Sequence, residues 1–332
     1  MSKPDCNALI TGGAGFIGSH LTELLLERGM RVTAVDDEST GSADNLAAVR
    51  DHGRLTFVRG DVCDPKLVGE LVAEADVVYH LAASVGVQRI ADAPIESIER
   101  NIVPVELLLA ALLRQQQNAG RSVPIFIASS SEVYGKNPKP SWTEEDDIVL
   151  GPTKHLRWSY GASKAIDEFL ALAYHRQHGL PVVVGRFFNV VGRRQTGRYG
   201  MVLPRFVDRA LAGQPPIVHD DGRQVRCFAH VTDVCRMVVD LAAEPSAAGQ
   251  VFNIGSDAPI SILDLARRVV EAVDPSLGVE FQSYCDAYSD DFEDVRRRVP
   301  DLSKLRGTID ARLRYDLDAI IRDVVAWKRS EE

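Results

Sequence analysis

The stretch "TGGAGFIG", Thr11–Gly18, decides the fold. It sets Gly12, Gly15 and Gly18 three apart, after the apolar run "NALIT" (7–11) and before "FIGSHLTELLLERG" (16–29), whose leucines recur at helical spacing. A strand, a glycine turn and a helix in that order expose backbone N–H groups, here from Phe16 and Ile17 onward, at a helix N-terminus. A side chain in the turn would keep a pyrophosphate from reaching them. Glycines alone would serve equally for a tight structural turn. The strand before, the helix after and Asp36 at the end of "RVTAVD" (31–36) together make a dinucleotide fingerprint. A carboxylate at Asp36 accepts hydrogen bonds from the adenosine ribose and repels a 2′-phosphate, so the expected cofactor is NAD and not NADP.

Working outward, the same alternation continues. "LTFVRG" (55–60), "VVYHLA" (77–82), "VPIFIAS" (123–129) and "LPVVVGRF" (180–187) are short β-rich runs, separated by helical stretches such as "PVELLLAALLRQQQ" (104–117) and "YGASKAIDEFLALAYHRQHG" (160–179). Repeated βα units predict an α/β protein: a Rossmann-type, doubly wound parallel sheet covered on both faces. Beyond about residue 190 the pattern loosens into Arg-, Gly- and Pro-rich loops with shorter elements. The expected division is a dinucleotide-binding domain over 1–188 and a smaller C-terminal substrate-binding lobe over 189–332, with later segments free to cross back to the first sheet.

Composition narrows the partners. The chain has 332 residues, 45% of them hydrophobic, enough for a large core. "MSKPDCNALI" runs from a short polar start straight into a strand, so no leader is expected. The most apolar stretch, "IVPVELLLAALL" (102–113), is too short for a bilayer and carries Glu106, so no membrane partner is expected. The five cysteines form no CxxC pair, which favours a reduced, cytoplasmic setting without a metal site. A net charge of -9 argues against nucleic acid, though not against a small anion met by local basic residues.

A second motif carries chemistry. "SYGASK" puts Tyr160 and Lys164 four apart on a predicted helix, hence on one face. An ammonium beside a phenol favours the phenolate and makes it a proton acceptor near working pH. The hydroxyl cluster "SSSEVYG" (129–135) follows the strand "VPIFIA", and its Ser130 is placed to hold the same substrate hydroxyl. The expected reaction passes a hydride from carbon to nicotinamide while Tyr160 takes the proton from oxygen. "GRQVRCF" (222–228) reads as a basic loop suited to a phosphate.

With these motifs in place the chain resembles the extended short-chain dehydrogenase/reductase superfamily, the NAD-dependent nucleotide-sugar epimerases, dehydratases and decarboxylases. The resemblance runs through "TGGAGFIGSH", "GDVCD" (60–64), "HLAA" (80–83), "SSSEVYG", "YGASK", "RFFNVVG" (186–192) and "VFNIGS" (251–256). It implies that Asp61 and Val62 flank the adenine and that Ala82 lines the cofactor cleft. It implies further that Ser130, Tyr160 and Lys164 are catalytic, that Asn189 touches the sugar nucleotide and that Arg226 binds its diphosphate.

Glu132 bears on the reaction. The hexose 4,6-dehydratases carry Asp-Glu after the catalytic hydroxyl residue, whereas this chain has Ser131-Glu132, as in the UDP-glucuronate decarboxylases. Those also carry an arginine three residues before the tyrosine, matching Arg157. The segment "YSDDFEDVRRRVP" (288–300) resembles their C-terminal segment, which implies that Phe292 lies near the uracil and that Arg298 reaches the active site. Oxidation at C4 of a glucuronosyl group leaves a ketone β to the carboxylate, which then loses CO2. Arg157 and Arg298 are expected to hold that carboxylate, and Glu132 with Ser131 to manage protonation at C5. UDP-glucuronate decarboxylase is thus the expected activity. A UDP-sugar 4-epimerase is the alternative, with a 4,6-dehydratase or an inactive NAD-binding protein behind it. Leucines 107–109, 112 and 113, with Ile166, Phe169, Leu170 and Leu172, predict helices apolar on more than one face and a homodimer through a helix bundle.

Overall fold

The computed structural model describes residues 6–84, 93–197, 201–283 and 295–331. Its strands are β1 (Asn7–Thr11), β2 (Arg31–Asp36), β3 (Leu55–Arg59), β4 (Val77–His80), β5 (Ile125–Ser130), β6 (Val182–Phe187), β7 (Val190–Val191), β8 (Ile217–His219), β9 (Val225–Cys227), β10 (Ala229–His230), β11 (Gln250–Ile254), β12 (Pro259–Ser261) and β13 (Glu280–Gln282). Its helices are α1 (Phe16–Glu27), α2 (Pro65–Glu74), α3 (Pro94–Ala119), α4 (Ser159–His178), α5 (Val202–Leu211), α6 (Val231–Ala242), α7 (Ile262–Val273), α8 (Ser303–Thr308) and α9 (Leu317–Glu331).

Seven strands form one parallel sheet in the order β11-β6-β5-β4-β1-β2-β3. Side chains alternate between two apolar layers, as the pleat requires. Ala8 and Ile10 of β1, Phe126 of β5 and Val183 of β6 face a core shared with α1 and α6. Leu9, Ile125, Ile127, Val182 and Val184 face one shared with α2, α3 and α4. Both faces are therefore dry, and the strands read as continuous apolar runs, as buried parallel strands do. Strand order reverses between β1 and β4, and in a doubly wound sheet the ligand crevice opens there, at the carboxyl ends. The glycine turn follows β1 and the serine cluster ends β5, so both lie at that edge.

β11 comes from beyond residue 189 and pairs with β6 from Gln250↔Val183 to Ile254↔Phe187, which returns the chain to the first sheet. Helix α6 also packs on that sheet, while α5, α7 and α9 build a second core, with Phe206, Leu265, Val269 and Ile321 buried among them. Among the described residues no helix is long and apolar enough to cross a membrane.

Two expectations are corrected here. The helix read as 104–117 runs from Pro94 to Ala119, with Pro104 buried inside it. Proline suits the first turn of a helix, and two prolines ten residues apart offered two starting points; Pro94 takes that place. The second concerns the leucines read as part of the apolar surface that a second copy would cover. Leu108, Leu109 and Leu112 pack into the core, while Ile166 and Phe169 of α4 stay exposed at 47% and 70%.

A close approach inside the sheet supplies a test. A Cβ on Gly185 of β6 would meet Phe126 Cζ at 2.4 Å and Ile254 Cδ1 at 2.7 Å, both buried. Gly185→Ala should overpack this layer and cost about 1–3 kcal/mol, read as a fall in denaturation midpoint with an unchanged m-value.

Candidate active site

The glycine turn is shaped by close approach. A Cβ on Gly18 would sit 2.0 Å from Gly12 O, so α1 can start here only with glycine at that position. Gly12 has φ +71, and a Cβ there would press on the backbone of Ala82 at 2.8 Å. No side chain caps α1 at Gly15 and its first turn holds no acid, which leaves first-turn N–H groups for an anion. Asp36, buried at the end of β2, accepts hydrogen bonds from Ala14 N (3.0 Å) and Glu38 N (2.8 Å). Each oxygen has spare lone pairs for ribose hydroxyls. Burial raises its pKa, partly offset by those two N–H groups. These residues fit an adenine dinucleotide: an uncapped helix start for the pyrophosphate and a carboxylate for the ribose. Nearby, Arg100 of α3 reaches Asp37 (2.5 Å) and Asp61 (3.5 Å), tying together the loops after β2 and β3. Val62, half-buried, packs against the apolar layer shared with α2, α3 and α4, and Ala82 N donates to Thr11 Oγ1 at 3.3 Å.

The serines at the end of β5 each have a distinct place. Ser129 donates to Glu168 of α4 at 2.5 Å. Ser130 accepts from Glu132 N at 3.2 Å, capping a short 3-10 turn over Ser131–Tyr134, and its hydroxyl acts to lower the pKa of the Tyr160 phenol. Ser131 is buried in that turn. Helix α4 reaches the turn because residue 161 is glycine: a Cβ there would meet Glu132 O at 2.6 Å. Tyr160 and Ser130 are therefore brought together by backbone contact.

Lys164 departs from expectation. It is buried, and its Nζ donates to Asp167 Oδ2 at 3.1 Å. Burial pushes the pKa of Tyr160 up, and the charge of Glu132 adds to that; the Ser130 hydrogen bond and Arg298 act against them. The phenol thus lies above its ordinary range, and the charge expected to lower it is matched by an acid one turn along. His80, at the end of β4, bonds Thr11 Oγ1 at 2.7 Å, and burial lowers its pKa to about 3.

A charged cluster stands beside Tyr160. Glu132 meets Arg298 at 2.7 Å and Arg157 at 3.4 Å. Burial opposes its ionisation, yet Arg298, Arg157 and Arg226 together hold its carboxyl below the usual range. The two arginines expected on a substrate carboxylate are on Glu132 in this structure, and they favour its ionised form. The buried Nε of Arg298 has no hydrogen-bond partner among the described residues. Arg226, on β9, is buried, and Asn189, with φ +33, donates to Cys227 O at 2.9 Å on the same strand. Phe292 lies outside the described residues. No group of three His, Cys, Asp or Glu among the described residues is placed to hold a metal.

The sequence reading passed over Asp167, Glu168 and Arg186. Glu168 continues the Tyr160–Lys164 stripe by one more turn, a spacing that could have drawn attention to it.

The profile of the NAD dependent epimerase/dehydratase family matches residues 8–255. The chain is 37% identical over 325 residues to a UDP-N-acetyl-alpha-D-glucosaminuronate decarboxylase of Bacillus cytotoxicus, covering 98% of each protein. It is 38% identical over 331 residues to a dTDP-glucose 4,6-dehydratase of Actinoplanes, covering 97% of each. Among solved structures, a UDP-N-acetylglucosamine 4-epimerase of Methanobrevibacter ruminantium superposes with a TM-score of 0.86 at 27% identity, over 99% of this chain and 100% of that one.

The Glu132 cluster gives a pH test. Its folded pKa lies below its ordinary value of 4.5, so the stability it contributes is present above about pH 4.5 and is lost as pH falls through the folded value. Glu132→Gln leaves buried arginines without their carboxylate and should cost about 3 kcal/mol at neutral pH. The difference from wild type in denaturant titrations should shrink toward zero in strong acid.

Proposed function

The chain belongs to the NAD dependent epimerase/dehydratase family, and from that premise we propose that it is a UDP-hexuronate decarboxylase. It is an NAD-dependent enzyme that modifies nucleotide sugars. When bound, NAD accepts a hydride from the sugar and can return it. The observation that carries the finer reading is the buried Nε of Arg298, a donor with no hydrogen-bond partner among the described residues. Arg298 and Arg157 both contact Glu132, and Arg226 acts on the same carboxylate. A second carboxylate, on C5 of a hexuronate, satisfies that donor and shares the two guanidiniums. A neutral hexose has no group to place there.

In this reading Ser130 holds the C4 hydroxyl and Tyr160 takes its proton. Arg298 and Arg157 grip the C5 carboxylate until it leaves as CO2, and Glu132 keeps both guanidiniums oriented. Asp36, Asp61, Val62, Ala82, Lys164 and the 12–18 turn hold the cofactor. Arg226 and Asn189 take the sugar nucleotide, together with Phe292. Residues 1–188 with β11 form the cofactor part, and 189–332 otherwise the substrate part. Ser131 supplies no acid for the dehydration that the Actinoplanes relative's name describes.

The experiment is to incubate the pure protein and NAD with UDP-glucuronate and with UDP-N-acetylglucosaminuronate, following CO2 release and product mass. A UDP-pentose or its 4-keto form is expected. Epimerised hexuronate without CO2 would replace this reading with a 4-epimerase. Arg298→Ala should slow decarboxylation roughly 30- to 1,000-fold, the worth of a charge-assisted contact in a closed site. Oxidation of UDP-glucose, which has no carboxylate to hold, should change far less.

A homodimer is proposed on separate grounds. Ile166 and Phe169 leave an apolar strip on α4 at 47% and 70% exposure, and a second copy laying α3 and α4 against it would cover it. Light scattering at micromolar concentration should give twice the chain mass, and Phe169→Glu should halve it without altering the far-UV spectrum.

A further inference from the structure

Asp167 has no part in the reading above. It stands one turn beyond Lys164 on α4, is fully buried, and takes the lysine ammonium at 3.1 Å. Its Oδ1 is buried with no hydrogen-bond partner among the described residues. A buried ion pair with an oxygen left unsatisfied is a poor source of stability, because desolvation offsets the attraction. Positions 160, 164 and 167 follow the i, i+4, i+7 spacing of a single helix face, so the acid lies behind Tyr160 on the same stripe. The separation along the axis is about 10 Å, through protein and not through water.

We propose that Asp167 is a positioning residue that sets the pH at which Tyr160 works: it fixes the Lys164 ammonium from behind and, by its own charge, cancels much of what that ammonium offers the phenol. This rests on reading Tyr160 as the base. Every other charged or titratable group facing the pair stays in place when Asp167 changes. Tyr160 meets Ser130 and Glu132 from the turn after β5 and Arg298 from the C-terminal segment. Lys164 acts on His80 at the end of β4. Asp167 also faces Glu168, whose charge Arg186 of β6 matches at 2.7 Å. Burial raises the pKa of Asp167 itself, with Lys164 acting against it, so the pair is held together by geometry that only this acid supplies.

The sign follows. A base must be deprotonated to act, so activity rises with pH through the phenol's titration. A negative charge on its helix face moves that rise to higher pH, and removing the charge moves it back. At an effective dielectric constant near 20, one charge about 10 Å away is worth about one pH unit.

The test is an ultraviolet titration of the Tyr160 phenol in NAD-loaded protein, in wild type and Asp167→Asn. Each is measured against the same protein carrying Tyr160→Phe, so that the difference reports this phenol alone. The expected result is a midpoint lower by about one pH unit in Asp167→Asn, with the acid limb of kcat/KM moving the same way. Melting temperature and NAD content identify a variant that has merely lost its fold. In that case Asp167→Ser, smaller and uncharged, should give the same downward shift. A midpoint that stays put or rises in a folded variant would overturn the proposal and leave Asp167 a structural partner of Lys164. Full activity in Tyr160→Phe would instead remove Tyr160 as the base, while the titration would still report the coupling.

Discussion

A buried ion pair between Arg186 of β6 and Glu168 of α4 is the interaction on which the site depends. The guanidinium grips the carboxylate through Nε at 2.9 Å and Nη2 at 2.7 Å, with both partners nearly inaccessible. Ser129 donates to the same carboxylate from the end of β5, and Arg186 lies 4.6 Å over the ring of Tyr134. Tyr134 donates to Asn253 of β11, whose amide also reaches Trp142 O. One charge pair therefore clamps the tyrosine helix, the serine-bearing strand and the returning strand to one another. Breaking it would strand a charge in a dry layer, a far larger penalty than losing an exposed pair. Such a clamp fixes the placement of the strand end that carries Ser130 against the helix that carries Tyr160, more than it adds stability.

The remaining charges divide into two groups on either side of Tyr160. Toward the C-terminal part stand Glu132, Arg157 and Arg298, rich in positive charge; along α4 stand Lys164 and Asp167, one of each sign. The chain as a whole carries -9, so three arginines acting on one glutamate run against its overall balance.

What the sequence could disclose depended on whether the constraint was local. The glycine turn is set by contacts within a few residues, Gly12 against Gly18, and the pattern alone reveals it. The same holds for the alternation of β5 and β6, where each side chain's layer follows from its parity. Pro104 misled because a proline reads as a boundary until the rest of the helix is known to run past it. The clamp was invisible for the opposite reason. Arg186 sits in an apolar run and its partner lies 18 residues away on another element, a pairing that no periodicity encodes. Glu132 drew attention in the sequence, yet its partners come from positions 157 and 298, and only the fold shows both on one carboxylate.

That arrangement alters how Glu132 can act. An acid held by two guanidiniums resists protonation, so it cannot deliver a proton to carbon while both contacts stand. A substrate carboxylate arriving at the same arginines competes with Glu132 for them and weakens their hold as it binds. The released carboxylate then recovers part of its basicity, in a pocket where burial already favours the protonated form. On the proposed reading the cluster thereby links occupancy by a substrate carboxylate to the protonation of Glu132.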